Sequence, residues 1–301
     1  MTAQVGVLVN ARAHAIDLEA VRQIAGARIV VTSEASQVRD ALHSLGALDV
    51  VAVVGGDGTA SSVASALCDL HAASGVRLPA FAPIGGGTMN TVAKNFGVPA
   101  RARPLENLRR LLSRPLATRD QLVLRVNEIH GFLFGAAMGA RFLEAYYRAS
   151  TPGPLSALSL AATTAVSCAI GGAHARALFD PVPLELDLDG EALDEPRSAR
   201  LICAGSIEDV GLGIRLLPQA RASAKSFQLI ASSLATPTLA LQLPSLFWGG
   251  RLRGTPHFDW VGQRAELRFS RAEPYTLDGE LYTSDRVLIE AGPILRVPVW
   301  S

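Results

Sequence analysis

The sequence predicts an α/β domain with a parallel, doubly wound sheet, followed by a β-rich, sandwich-like domain. Three observations support this fold class. The chain has 301 residues, which exceeds the usual size of one domain. Its first part alternates short β-branched runs with amphipathic segments, and its second part alternates apolar and polar side chains as half-buried strands do. We therefore expect domains over 1–119 and 120–291, with 292–301 as a C-terminal segment that returns to the first domain.

The first domain is predicted from a series of strand and helix patterns. Apolar runs indicate strands in QVGVLVN, ARIVVT, LDVVAVV and LPAFAPI, and helical patterns indicate helices over 18–25, 38–45, 61–73 and 105–112. Ser33 or Ser36 is the predicted cap of the second helix. Because such units form a parallel sheet, the loops after its strands are expected to meet at one edge.

The second domain is predicted from short strands with turn signals. Asn127-Glu128 separates the strands of a predicted hairpin, and one or two helices are expected near 142–170. Asp-Gly at 189–190 and at 278–279 is a strong hairpin signal. Further strands are predicted in PLELDLDGEAL, ARLICAGSI, KSFQLIASS, RAELRFS and DRVLIEAG.

Composition and charge exclude several classes of function. The chain carries 28 Lys/Arg and 27 Asp/Glu, and no dense basic stripe, so nucleic acid is not an expected partner. Its three cysteines are far apart and lack zinc-ligand spacing, which indicates buried thiols in a reducing compartment. The N-terminus lacks the pattern of a signal peptide, and we expect a cytoplasmic protein.

Two uncharged stretches, Thr151–Ala173 and Ser226–Gly250, are candidate lipid-contacting surfaces. Both contain prolines, which argues against continuous membrane spans. Trp248 and its neighbour Phe247 either contact a bilayer or pack against the second domain.

Two glycine-rich turns carry the functional signal. Gly55-Gly56-Asp57-Gly58-Thr59 follows one predicted strand, and Gly85-Gly86-Gly87-Thr88 with Asn90 follows the next. Glycines expose backbone N–H groups at a helix start, where phosphate binds, but a strand-to-helix turn needs glycine without a ligand as well. Neither turn has the Walker or the dinucleotide-binding pattern. Asp57 is either a helix cap or a carboxylate that works with Mg²⁺ in phosphoryl transfer.

The motifs VVGGDGT, PIGGGTMNTVAKNFGVP, GIRLLPQA and YTLDGELY occur in an order that resembles the diacylglycerol kinase catalytic family. This family includes bacterial lipid kinases, and its N-terminal domain is similar to those of NAD kinases and sphingosine kinases. The resemblance implies an ATP-dependent lipid kinase that transfers the γ-phosphoryl group to a hydroxyl of diacylglycerol or a related lipid. It implies ATP and Mg²⁺ as cofactors and a lipid substrate at a membrane surface, with peripheral membrane association. A homodimer is left open.

The resemblance also implies the site residues. Asp57 and Glu280 are the implied catalytic residues, with Glu280 as general base and Asp57 also as a metal ligand together with the ATP phosphates. The implied nucleotide-binding residues are Asn10, Thr32, Gly55, Gly56, Gly58, Thr59, Gly86, Gly87, Thr88 and Asn90.

The chain departs from the family pattern at three places. Ala11 replaces a proline, Ser61-Ser62 replaces an Asn-Glu pair, and Ala224-Lys225 replaces an acidic turn that holds a structural Mg²⁺ in bacterial members. A second Leu-Asp-Gly-Glu ends at Glu191, where a plain hairpin is the expectation. The alternatives are a pseudokinase that binds nucleotide or lipid without transfer, and an NAD kinase-like small-molecule kinase.

Overall fold

The computed structural model describes residues 4–13, 16–24, 26–100, 103–113, 116–148, 159–160, 162–164, 167 and 172–300. The chain divides into two compact units, Met1–Val123 with Pro293–Ser301, and Leu124–Gly292. Cys168 and most of the Thr151–Ala173 stretch, with part of the helical region expected near 142–170, lie outside the described residues.

The first unit contains a parallel sheet of four strands with the order β2-β1-β3-β4. This confirms the predicted parallel sheet. The elements are β1 (Val5–Asn10), α1 (Leu18–Arg22), β2 (Ala27–Thr32), a 3-10 helix (Ala35–Gln37), α2 (Val38–Leu45), β3 (Val50–Val54), α3 (Asp57–Ser74), β4 (Ala80–Pro83), α4 (Thr91–Asn95) and α5 (Pro104–Ser113).

Helices cover both faces of this sheet. Val7 and Val9 point to one face, where they share a buried cluster with Val21 of α1 and Leu108 of α5. Gly6 points to the other face, where a Cβ atom would lie 3.1 Å from the Leu45 Cδ1 atom of α2. Because successive side chains of a strand alternate between faces, these contacts define the doubly wound arrangement.

The predicted cap of α2 was wrong. A 3-10 turn precedes the helix, and α2 begins at Val38 with Gln37 at the N-cap position. The Gln37 side chain accepts a hydrogen bond from the Ser33 N–H group at 2.8 Å, so Ser33 is the donor here and not the cap.

Most of the larger sheet belongs to the second unit, although β5 and β15 extend into the first. Among the described residues this sheet has eleven strands, in the path β13-β12-β11-β7-β14-β15-β5-β6 together with β8, β9 and β10. Its pairs are antiparallel, as predicted for the β-rich domain. The elements are β5 (Thr118–Val126), β6 (Ile129–Gly131), β7 (Leu133–Ala137), α6 (Met138–Tyr147), α7 (Ala173–Leu178), β8 (Val182–Leu188), β9 (Glu191–Leu193), β10 (Ser198–Ala199), β11 (Leu201–Gly205), β12 (Phe227–Ser232), α8 (Thr236–Leu246), β13 (His257–Gly262), β14 (Arg264–Leu277) and β15 (Glu280–Pro298).

The predicted hairpins are confirmed. β5 pairs with β6 around Asn127-Glu128, β8 pairs with β9 around Asp189-Gly190, and β14 pairs with β15 around Asp278-Gly279. Asp189 and Asp278 have φ values of 51° and 49°, and the glycines after them have 91° and 92°. Two successive positive φ angles are the signature of a type I′ turn. Within the described part of the chain, no helix has both the length and the apolar character needed to span a membrane.

Candidate active site

The two glycine-rich turns meet at the carboxyl edge of the parallel sheet. They follow the neighbouring strands β3 and β4, and their backbones touch at Gly56 and Gly87. A Cβ atom on Gly87 would lie 2.4 Å from the Gly56 Cα atom, so no side chain fits there. The turns therefore form one continuous backbone surface, as expected for a ligand crevice at this edge.

Asp57 joins the two turns. Its Oδ1 atom accepts a hydrogen bond from the Val92 N–H group of α4 at 2.8 Å. α3 begins at Asp57 itself and Gly56 is its N-cap, so the interpretation of Asp57 as a cap of its own helix is wrong. Burial raises the pKa of the Asp57 carboxyl, while backbone hydrogen bonds, Val92 first, and the charge of Lys94 act in the opposite direction.

Asn90 fixes the second turn from within. It adopts a left-handed conformation with φ 52° immediately before α4. Its Oδ1 atom accepts the N–H groups of Gly86 at 3.1 Å and Gly87 at 2.9 Å, and its Nδ2 atom donates to the Gly87 carbonyl at 2.7 Å. The exposed side chain of Thr88 lies in the same turn.

Asn10, Thr32 and Thr59 lie at the ends of three elements at this edge. Asn10 Nδ2 donates to Thr59 Oγ1 at 2.8 Å, and Asn10 and Thr32 are register partners of β1 and β2. The Ala11 N–H group donates to the carbonyl of the buried Thr32 at 2.8 Å. A proline at position 11 has no N–H group, so the departure at Ala11 adds a bond that the family pattern lacks.

The N-terminus of α3 has no side-chain cap. Because Gly56 is the N-cap, no side chain there accepts a hydrogen bond from the first N–H groups of this 18-residue helix. Such groups carry partial positive charge and bind anions. Ser62 turns back and donates to the Gly58 carbonyl at 2.8 Å, and Ser61 is buried, so this stretch provides no carboxylate.

Glu280 lies in the second unit, in a turn that is held from two sides. The buried Asp278 carboxylate accepts the N–H groups of Phe132 at 2.9 Å and Leu133 at 2.8 Å. The Tyr147 hydroxyl donates to the Gly279 carbonyl at 2.7 Å. Glu280 follows with an exposed side chain.

The same turn geometry recurs at Glu191. The Asp189 carboxylate accepts the N–H groups of Gln263 at 3.2 Å and Arg264 at 2.9 Å, and Glu191 is exposed. Turn geometry therefore does not distinguish Glu280 from Glu191. Only the turn before Glu280 has the additional hydrogen bond from Tyr147.

Eleven of the twelve predicted site residues belong to one unit, and the twelfth belongs to the other. Eleven of the predicted residues, from Asn10 to Asn90, belong to the first unit and meet at its sheet edge, whereas Glu280 belongs to the second unit. Lys94, Asp278 and Tyr147 were missed. Lys94 had a signal, because it lies on the first helical turns after the second glycine-rich loop.

The protein donors for a metal are few. In the described ranges, no group of three or more His, Cys, Asp or Glu side chains is placed to hold an ion. Asp57 is the carboxylate at the two turns. Lys225, at the position of the family's metal-binding turn, is exposed, and its backbone N–H group donates to Ser223 Oγ at 3.1 Å.

Comparison with known proteins supports the resemblance. Residues 9–121 match the model of the diacylglycerol kinase catalytic domain. Three solved structures from Bacillus anthracis share the fold. One is described as a diacylglycerol kinase, with 16% identity, a TM-score of 0.69 and coverage of 99% of this chain and 97% of that chain.

The other two solved structures are described as candidate diacylglycerol kinases. One has 16% identity and a TM-score of 0.72, over 99% of this chain and 96% of that chain. The other has 18% identity and a TM-score of 0.75, over 99% and 97%. No curated protein matches the sequence. The predicted resemblance to the diacylglycerol kinase catalytic family and the predicted fold class are thereby confirmed.

Proposed function

We propose that this protein is an ATP-dependent lipid kinase that transfers the γ-phosphoryl group to a hydroxyl of diacylglycerol or a related lipid. The observation that carries the proposal is the contact between Gly56 and Gly87, which joins two glycine-rich turns at the N-terminus of α3, where no side chain caps the helix. The match of residues 9–121 to a kinase domain supports it independently.

The first unit is suited to hold triphosphate. Backbone N–H groups at Gly58 and Thr59 lie in the first turn of α3, where the helix dipole favours anions. Asn10 orients the Thr59 hydroxyl through their 2.8 Å hydrogen bond, and Lys94 adds positive charge near Asp57. Phosphoryl transfer depends mainly on such alignment and charge compensation.

Magnesium is part of the proposal as a partner of the nucleotide. Bound with ATP, it would supply charge neutralisation between the β- and γ-phosphates. Asp57 is the predicted protein ligand. Its Oδ1 atom also accepts the Val92 N–H group, so the same carboxylate that would hold the ion is fixed in place by α4.

Glu280 is the proposed proton acceptor. As the lipid hydroxyl oxygen forms its bond to the γ-phosphorus, the bond from that phosphorus to the β,γ-bridging oxygen breaks, ADP leaves, and the hydroxyl proton passes to the Glu280 carboxylate. Asp278 and Tyr147 hold the turn through their hydrogen bonds. Placement of the carboxylate at the lipid hydroxyl therefore requires only a change in the side-chain conformation of Glu280.

The test is transfer from labelled ATP to diacylglycerol in mixed micelles, with phosphatidic acid as the product. We expect Glu280→Gln to lower the rate about 100-fold or more, as for loss of a general base. Glu191→Gln is the matched control, because it follows the same type of turn. Full activity of Glu280→Gln, or loss of activity in Glu191→Gln, contradicts the assignment.

A second candidate is a pseudokinase, and one observation favours it. Asp57 is engaged by α4, and Ser61-Ser62 offers no second carboxylate beside it. In that case ATP binds to the native protein, Asp57→Asn weakens binding, and no acceptor becomes labelled. NAD as acceptor in the same assay tests the small-molecule kinase alternative.

The proposal includes a cytoplasmic location with peripheral association to a membrane, since the acceptor is a lipid. A homodimer stays a prediction.

A further inference from the structure

The second unit contains a long segment without acidic side chains. Val210–Phe258 includes five Lys/Arg and no Asp/Glu, although the whole chain has nearly equal numbers of both. Its positive side chains are Arg215, Arg221, Lys225, Arg251 and Arg253, of which Arg221 pairs with Glu208, just before the segment, at 3.9 Å. Such a one-sided segment attracts anionic surfaces even when the net charge of the protein is small.

Helix α8 lies within this segment and is apolar on two opposite faces. Leu239 and Leu246 are buried in the core of the second unit. Leu241, Pro244 and Trp248 follow the i, i+3, i+7 spacing on the outer side. An amphipathic helix would carry charged residues on its outer face, but α8 has none.

The outer face of α8 exposes large apolar side chains. Leu241 is 83% exposed and Trp248 is 82% exposed, the highest values for large apolar side chains in the described part of the chain. Phe247, which immediately precedes Trp248 in the sequence, is 43% exposed. Burial of these side chains against an apolar phase is favourable, and tryptophan is enriched at bilayer interfaces.

The backbones of two arginines are hydrogen-bonded to the C-terminal half of the same helix. The Arg215 N–H group donates to the Leu246 carbonyl at 2.9 Å. The Gln242 side chain holds the backbone of Arg253 with two hydrogen bonds, from the Arg253 N–H group at 2.7 Å and to the Arg253 carbonyl at 2.9 Å. Arg215, Arg251 and Arg253 all have exposed side chains.

We propose that α8 and the following Phe247-Trp248 form a docking surface for an anionic phospholipid bilayer. Leu241, Phe247 and Trp248 enter the interfacial region, and the flanking arginines contact lipid phosphates. The charge decides between a bilayer and a second copy of the chain, because a symmetric dimer through this surface would bring its cations face to face.

The inference deepens the proposed function, since a lipid kinase has to reach its acceptor in a bilayer. The docking test contains no nucleotide, so docking and phosphoryl transfer are measured separately. Vesicle binding without any transfer contradicts the kinase and leaves the docking surface intact.

The test is co-sedimentation of the full chain with vesicles of phosphatidylcholine and phosphatidylglycerol, compared with vesicles of phosphatidylcholine alone. We expect the double variant Leu241→Ser/Trp248→Ser to bind the mixed vesicles roughly tenfold more weakly than the native protein, because less apolar area is buried. Val76→Ser is the matched control, because Val76 is apolar and 61% exposed elsewhere. Thermal unfolding verifies that the variants are folded.

A second pair of variants tests the charge. Arg251→Glu/Arg253→Glu removes the preference for phosphatidylglycerol, and added salt weakens native binding. Arg109→Glu, an exposed arginine on α5, is the control for charge alone. Transfer to a short-chain diacylglycerol in solution stays unchanged in Leu241→Ser/Trp248→Ser.

Two results overturn the inference. One is native-like binding of the double variant Leu241→Ser/Trp248→Ser to the mixed vesicles. The other is a concentration-dependent dimer of the native protein that the same double variant abolishes, which assigns the surface to a second copy.

Discussion

At the scale of single residues, Gly56 and Gly87 hold the two turns at backbone distance. A methyl group on Gly87 would lie 2.4 Å from the Cα atom of Gly56, which is too close for two carbon atoms. Either turn could move away only if the end of the strand before it, β3 or β4, also moved. The turns are thus one unit in which a shift of either displaces the other.

Gly87→Ala is expected to weaken ATP binding more than tenfold and to lower the free energy of unfolding by about 1–3 kcal/mol, as for overpacking in a core. Titration with ATP and denaturant unfolding measure the two effects. Gly139→Ala is the control. Gly139 lies in α6, and its Cβ atom would lie 3.9 Å from the Ile202 carbonyl oxygen of β11, so stability should rise slightly. Native ATP affinity in Gly87→Ala contradicts the close contact.

Glu266 is a buried carboxylate among three arginines of the second unit. Its Oε1 atom accepts from Arg268 at 2.7 Å and from Arg286 at 2.9 Å, and its Oε2 atom accepts from Arg264 at 2.9 Å. The side chain is 3% exposed. Hydrogen bonds from Arg286 and Arg268 lower the pKa of Glu266 to about 2.

This lowered pKa predicts a pH-dependent stability. The ionised form contributes fully above the ordinary value of 4.5, and its contribution is lost as the pH falls toward about 2. We expect Glu266→Gln to cost about 1–2 kcal/mol at pH 7, since the arginines are half exposed, and the difference from the native protein to shrink in acid. Urea unfolding at several pH values measures it. Glu128→Gln, whose side chain is 88% exposed, should show almost no cost. A cost that is constant down to pH 2 argues against the pairing.

At the scale of elements, the two Asp-Gly turns are held by the same kind of hydrogen bond. Each aspartate accepts two successive N–H groups from a segment distant in sequence, Phe132 and Leu133 for Asp278, and Gln263 and Arg264 for Asp189. Removal of the acceptor leaves these donors unpaired, which costs about 1–3 kcal/mol where they are buried.

Asp278→Ala is therefore expected to lower the free energy of unfolding more than Asp189→Ala, because the bonds of Asp278 are largely buried and those of Asp189 are exposed. Only Asp278→Ala is expected to lower phosphoryl transfer. Calorimetry and the micelle assay separate the two effects. Equal loss of activity in both variants would mean that the turn at 278–280 has no special part in the reaction.

The strands and hairpins could be predicted from the sequence wherever neighbouring residues carry the signal. Apolar runs identified β1, β3 and β12, and Asn127-Glu128 and the Asp-Gly pairs identified three hairpins. The cap of α2 was missed because a 3-10 turn precedes the helix, in which the Gln37 side chain accepts the N–H groups of Ser33 and Glu34.

The role of Asp57 was ambiguous in sequence because its partner, Val92, lies 35 residues away. Local propensity cannot report such a pairing. The same holds for Tyr147 and Gly279, which are 132 residues apart.

At the scale of the whole molecule, all predicted nucleotide contacts belong to the unit formed by Met1–Val123 and Pro293–Ser301. A ligand stabilises the structure that binds it, by about 2.7 kcal/mol at a concentration 100 times its Kd. We expect ATP to slow hydrogen exchange at 9–13, 53–60 and 84–92, as measured by mass spectrometry. Gly87→Ala should lose this protection. Protection that appears only in the large antiparallel sheet would refute the nucleotide site.

The acid-free segment Val210–Phe258 has a consequence for handling the protein. With 28 basic and 27 acidic side chains, the chain as a whole gives little reason to adhere to a charged resin at neutral pH. A resin, however, binds a local patch of the protein surface. Its sulfonate groups can bind Arg215, Arg251 and Arg253 without repulsion from a carboxylate of the same segment. The protein should thus be retained by a cation-exchange resin at neutral pH more strongly than its formal net charge of +1 would suggest.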